Sequence, residues 1–298
     1  MDMSKACVLP DGAVLHYRVW RAARSRGRVV LLHGLASNLT RWSEFVEHTC
    51  LKDRWDLLRP DLRGHGGSFT RGRLSMEIWS DDLRALLDAE GCERAVFVGH
   101  SLGAHVALHF AARHRESVLG LALIDPAFPE ALRGRMRWLR PFAPALRAAG
   151  ALLGFLNRLG LRRKVLPQRD LRALDERVRA DLLAHGRTED FIRRYSSVRA
   201  DLKYFPPAHY LTELAEMLRP LPSLAGLDLP ALVLLSKGLT YTDPERTRRL
   251  LAGAPLVESV TVDAFHWPLT ESPAAVRGEI EAWTERRFSD RAQSTTPA

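Results

Sequence analysis

Cysteine is nearly missing from this 298-residue chain: only Cys7, Cys50 and Cys92 occur, far apart. An odd, sparse set at no metal-ligand spacing excludes a disulfide framework and a cysteine metal site. It points to a reducing compartment, with the three packing as small buried hydrophobes. No run of about 18 apolar residues occurs, so no spanning helix is expected. The opening MDMSKACVLPDG lacks a basic segment followed by an apolar one. That argues against a signal peptide and for a cytoplasmic protein. Internal repeats are missing, and so is any basic-aromatic platform, so nucleic acid is not an expected partner. What is present, 46% hydrophobic and 27% charged residues, is the balance of a soluble globular protein.

Lysine is scarce as well. Only Lys5, Lys52, Lys164, Lys203 and Lys237 occur, so nearly all positive charge is arginine. The net charge is +9, and its placement is uneven. Ala127 to Phe205 holds sixteen Arg and two Lys against eight acids, a surplus of +10, and leaves the rest of the chain near −1.

The first 126 residues alternate strand and helix signals. AVLHYRVW (13–20) alternates in period two behind an Asp11-Gly12 turn. RVVLLHG (28–34), the WDLLRP run and AVFVG (95–99) read as buried strands, as does SVLGLALID (117–125). Helices are expected over 42–50, over 76–90 with Gly91 as its stop, and over 101–114. From 127 to about 224 only helical signals appear, including 141–161, 169–186, 188–205 and 209–218. The strand ALVLLS (231–236), a helix, the strand ESVTVD and a last helix follow. Residues 289–298 read as a disordered tail. Alternating strands and helices predict a mostly parallel sheet with helices on both faces and ligands at the carboxyl ends of its strands.

Three stretches carry chemistry. In VGHSLG, the turn from strand to helix lifts the Ser101 hydroxyl above the sheet, and the flanking glycines let backbone pack close. The N–H of Leu102 then faces any oxyanion forming at Ser101. In LLHGLASN, a His-Gly at a strand end turns the chain so that the Leu35 N–H can join it. Two such donors are worth roughly 3–4 kcal/mol each to a developing oxyanion. In DAFHWPLTESP, His266 follows the last strand, where an imidazole could take a proton from a serine hydroxyl. His33 and His65 read as structural, His100, His105, His109 and His114 as packing or solvent-facing, and Glu271 as a helix-start residue.

Together HGLASN, RPDLRGHGGS, VGHSLG, LALIDPAF and DAFHWPLTESP, in this order, resemble the α/β-hydrolase fold family over nearly the full length. The resemblance implies a mostly parallel eight-stranded sheet formed by 1–126 and 225–288, with an inserted all-helical cap over 127–224. It implies Ser101 as nucleophile, His266 as base, and the Leu35 and Leu102 amides as an oxyanion hole. No cofactor or metal is implied. With serine at the elbow, the branches of the family that attack with aspartate are disfavoured.

The chain departs from the family at the acid. The usual position after ALVLLS falls on Leu239. Asp125, at the end of LALID, is the first candidate. Asp243 is the second, although Thr-Asp-Pro-Glu has the form of a helix cap. The expected activity is cleavage of a small-molecule carboxylic ester, thioester or lactone through an acyl-enzyme. A thioesterase acting on a carrier-bound acyl group, or a lyase or cyclase on the same fold, are the alternatives. Apolar cap residues such as Trp138, Phe142, Leu152 and Phe155 are expected to form the cap's own core rather than an acyl site. The basic cap is in the first place a solvated arginine face; an anionic carrier or lipid surface is the other reading.

Overall fold

A computed structural model describes residues 2–186, 196–238 and 240–288. Leu239, the tail 289–298 and the first part of the helix expected over 188–205 lie outside the described residues. The sheet has eight strands: β1 Asp2–Val8, β2 Val14–Trp20, β3 Arg28–Leu32, β4 Asp56–Pro60, β5 Ala95–His100, β6 Val118–Ile124, β7 Ala231–Ser236 and β8 Val257–Val262. Their order is β1-β2-β4-β3-β5-β6-β7-β8. Pairings of β1 with β2 and of β2 with β4 are antiparallel, and the rest are parallel. The mostly parallel eight-stranded sheet expected from sequence is therefore present.

Period-two alternation builds two cores. Val30 and Leu32, Phe97, Leu121 and Leu123 point to one face of the sheet. Val29 and Leu31, Val96 and Val98, Ala122 and Ile124 point to the other. The first face is covered by α2 (Met76–Ala89) and α3 (Leu102–Arg113); the second by α1 (Ser43–His48) and, at the end of the chain, the long helix Pro273–Phe288. Strands apolar on both faces are what burial between two helix layers requires.

The helices after β6 are α4 (Gly134–Leu139), α5 (Ala143–Arg158), α6 (Leu171–His185), α7 (Val198–Asp201), α8 (Pro207–Met217) and α9 (Leu224–Leu227). Behind β7 come α10 (Pro244–Leu251), α11 (Pro268–Glu271) and α12 (Pro273–Phe288). Among the described residues the insertion between β6 and β7 is helical, as its periodicity predicts, and an isolated bridge, Leu132 to Thr242, ties its start to the loop after β7. It is fastened to the sheet domain by side chains. His65 Nε2 lies 3.2 Å from Glu213 Oε2 of α8, both fully buried. Arg219 donates to both oxygens of Glu77, at 3.1 and 2.7 Å. Arg41 pairs with Asp175 of α6, and Asn38 Nδ2 donates to Arg169 O at 2.7 Å.

Three expectations are corrected. No strand is expected before residue 13, yet β1 pairs with β2 along its whole length, Asp2 opposite Trp20 through Val8 opposite Val14. As an edge strand with exposed Ser4, Lys5 and Val8 it carries little apolar alternation to read. Of the cysteines, only Cys92 is buried; Cys50 is exposed and Cys7 half-buried on that edge strand. Finally, Trp138, Phe142, Leu152 and Phe155 form no core: each is more than half exposed. Helical spacing shows that residues share a face, not what covers it.

Candidate active site

Ser101 sits between β5 and α3 with φ +51° and ψ −112°, a strained conformation for a side chain-bearing residue. Packing on both sides enforces it. A Cβ on Gly99 would come within 2.6 Å of Ala104 N, and one on Gly103 within 2.7 Å of His33 O. Neither position has room for a side chain, so α3 can press onto β3 and β5 only with glycine there. The turn leaves the Leu102 N–H at the first position of α3, where no carbonyl of the helix can accept it. The Leu35 N–H, in the loop after β3, likewise donates to no protein acceptor among the described residues. Gly34 places that loop against the elbow: a Cβ there would lie 3.5 Å from Ser101 Cβ.

His266 follows β8, and its ring faces the same cavity as Ser101, Leu35 and His100. Its Nδ1 lies 3.4 Å from Asp125 Oδ2, at ion-pair distance. Asp125 ends β6 with φ +45°, its N–H bonded to Leu234 O at 2.8 Å. Burial works against the Asp125 charge, but contacts from His266 and from Ser236 outweigh it and hold the carboxyl below its usual range. Ser236 donates its N–H to Asp125 Oδ1 at 2.7 Å and its hydroxyl to Oδ2.

The His266 loop is held by two further groups. Glu271 stands in the first turn of α11, as expected of a helix-start residue, and accepts N–H bonds from Phe265 and Trp267 at 3.0 Å and from His266 at 3.3 Å. His100 Nε2 bonds His266 O at 3.0 Å. Burial first, then the neighbouring His266, push His100 down to about 3, so it serves as a neutral donor. Its part is thus more specific than packing. Tyr241 stands edge-on to the His266 ring at 4.6 Å between centroids.

Other candidates fall elsewhere. Asp243 caps α10, accepting from Glu245 N at 3.0 Å and Arg246 N at 3.2 Å, and Arg133 lies 3.5 Å away. It is not within ion-pair distance of His266 and does not line the cavity. His33 is structural, accepting from Leu62 N at 3.0 Å and bonding Gly34 O at 2.9 Å through its other nitrogen. Burial holds it well below its usual value. No side chain could have announced Ser236 or Glu271 in the sequence, since both act on backbone or on a residue more than a hundred positions away or across a turn.

The cavity lining mixes apolar and polar side chains, and Leu35, Ala127, Met136, Leu214 and Met217 supply the apolar part. Arg41, Arg169, Asp201, Tyr210 and Tyr241 belong to the polar part. Burial pushes Asp201 up to about 6, against the opposing pull of Arg169 at 3.3 Å. Among the described residues no cluster of His, Cys, Asp and Glu could hold a metal ion.

Residues 27–273 match a family model described as the alpha/beta hydrolase fold. The chain is 36% identical over 100 residues to a protein named Lipase LipV from Mycobacterium tuberculosis, 34% of this chain and 37% of that one. It is 32% identical over 126 residues to one named Epoxide hydrolase 3 from Xenopus tropicalis, 41% and 34% of the two chains. The matched part thus spans about a third of these curated relatives. Among solved structures, a thermophilic esterase from Thermogutta terrifontis superposes with a TM-score of 0.66 at 24% identity, covering 96% of this chain and 99% of that one. That likeness speaks to the fold.

Proposed function

The chain belongs to the alpha/beta hydrolase fold family, and on that premise we propose that it is a serine hydrolase cleaving carboxylic esters. The observation that carries the reading is the placement of Ser101 and His266 on one cavity, with Asp125 behind the imidazole at 3.4 Å. Lipase and epoxide hydrolase names both occur among its relatives. The serine at the elbow supports acyl transfer over epoxide opening.

In this mechanism Ser101 Oγ attacks the ester carbonyl while His266 accepts its proton. Asp125, kept ionised by Ser236 and His266, orients the ring and offsets the charge of the imidazolium. The Leu35 and Leu102 N–H groups receive the oxyanion. Collapse expels the alcohol, which takes the proton from His266. A water then repeats the sequence on the acyl-enzyme, with His266 as base, and frees the acid. The insertion acts as the cap over this site, and the apolar lining of Met136, Leu214 and Met217 takes the acyl group. Asp125 at ion-pair distance from His266 supports hydrolysis over lyase or cyclase chemistry.

A panel of short and long p-nitrophenyl esters tests the reading. Turnover by the wild-type protein and its loss in Ser101→Ala are expected. An ester-cleaving Ser101→Ala variant of undiminished rate would overturn it.

A further inference from the structure

We propose that the outer face of α5 docks the protein onto a lipid bilayer carrying anionic headgroups. The inference does not depend on the serine chemistry. Helix α5 is apolar on two sides. Leu146, Gly150 and Leu153 face α8, where a Cβ on Gly150 would lie 3.1 Å from Ala208 O. Roughly opposite, Ala145, Ala148, Leu152, Phe155 and, just past the helix, Leu159 recur at three- and four-residue spacing along one exposed stripe. Leu152 is 59% exposed, Phe155 53% and Leu159 65%. Trp138, 77% exposed, and Phe142 precede the helix, and Leu161 and Val165 follow it, all open to solvent. A helix apolar on two sides is ordinarily covered on both, and this one is covered on one side only.

The charge around the stripe names the cover. Between Glu130 and Asp170 lie nine Arg, one Lys and no acidic residue. Four of these cations reach carboxylates outside the segment: Arg133, Arg140, Arg147 and Arg169. Arg135, Arg137, Arg158, Arg162 and Lys164 have no carboxylate within 4.0 Å among the described residues. An apolar stripe with flanking unpaired arginines is the chemistry of a helix lying in a membrane interface, with its side chains among acyl chains and its cations among phosphates. An acidic carrier protein would satisfy the cations but leave three turns of Leu and Phe facing polar surface. The stripe holds no side-chain donor or acceptor with which to read a protein. It also lies on the outer side of the helix whose partner, α8, supplies Leu214 and Met217 to the cavity. A bilayer on that face would deliver acyl chains close to Ser101.

Co-sedimentation with vesicles of phosphatidylcholine alone, or mixed with phosphatidylglycerol, tests the proposal on the full chain and on Ser101→Ala. Binding to the mixed vesicles is expected, and both proteins should bind alike, which separates this claim from the catalytic one. The pair Leu152→Ser and Phe155→Ser should lower the partition coefficient about tenfold or more. Arg158→Gln with Arg162→Gln should lower it on mixed vesicles and leave phosphatidylcholine unaffected. An unchanged melting temperature shows that each variant is folded, and Leu159→Ser provides a second stripe variant outside the helix. The proposal is overturned if the wild-type protein ignores mixed vesicles, or if the stripe variants bind them as well as it does. Capture of an acidic acyl carrier protein without vesicle binding would also overturn it.

Discussion

The sheet domain and the helical insertion handle charge and apolar surface in opposite ways. In the sheet domain, two carboxylate clusters gather several partners each. Arg63 donates to both oxygens of Asp82, at 2.8 and 2.6 Å, and pairs with Asp11 as well. Glu90 collects Lys5 at 2.6 Å, the Tyr17 hydroxyl at 2.7 Å and Arg21. In the segment from α4 through α5, Arg135, Arg137 and Arg158 have no carboxylate within 4.0 Å among the described residues, and Leu152 and Phe155 are more than half exposed. The sheet domain thus meets these charges with its own acids, whereas this part of the insertion leaves cations and apolar side chains to its surroundings. The candidate site lies on the seam: its Ser101, His266 and Asp125 follow strand ends, and Met136, Leu214 and Met217 of its apolar lining come from the insertion.

The largest expected effect falls on the sheet side of that seam. Asp125→Asn should lower kcat by about 10⁴-fold, as loss of the orienting carboxylate does in comparable sites. Asp243→Asn, on a helix cap, should leave kcat nearly unchanged and cost about 1 kcal/mol in stability. Equal kinetic effects would dissolve the distinction between the two aspartates. Next comes a buried ion pair that fastens the insertion to the sheet domain. Glu213→Ala strands buried His65, and chemical denaturation should show a loss of about 3–5 kcal/mol.

Packing supplies a third contrast. Leu31→Ala, in the core between the sheet and α1 and α12, should cost about 2–5 kcal/mol. Phe155→Ala should stay within about 0.5 kcal/mol, because its ring already faces water. A large loss at Phe155 would mean the stripe is covered within the monomer. The smallest effect is a pH dependence. Asp125 has its carboxyl lowered by folding, so its stabilising contribution is fully present above the unfolded value of about 4. It is lost as pH falls through the lower folded value. The melting-temperature gap between wild type and Asp125→Asn should therefore narrow on acidification and hold steady from mildly acidic to neutral pH.

Much of the frame could be read from sequence. Short branched runs ending in Gly or Asp give the parallel strands, and a strand–turn–helix around Ser101 gives the elbow, because both are local patterns. What escaped reading is long-range or two-sided. Ser236 matters through a carboxylate 111 positions away. Glu271 matters by gathering backbone N–H groups of the loop behind it. Edge strand β1 shows no alternation because half its side chains need no core. The apolar stripe of α5 is visible as a pattern, yet the pattern is the same for a buried helix and for one awaiting a partner. Asp125 and Asp243 differ in three-dimensional placement, the first 3.4 Å from His266 and the second taken up by backbone N–H groups at the start of α10, and residue type announces neither.

The most direct test is to expose the protein to a fluorophosphonate and locate the adduct by peptide mass spectrometry. The account predicts one phosphonylated residue, Ser101, with labelling slowed strongly in His266→Ala and little in Asp243→Asn. An adduct on another residue, or an unlabelled protein that still turns over esters, would contradict it.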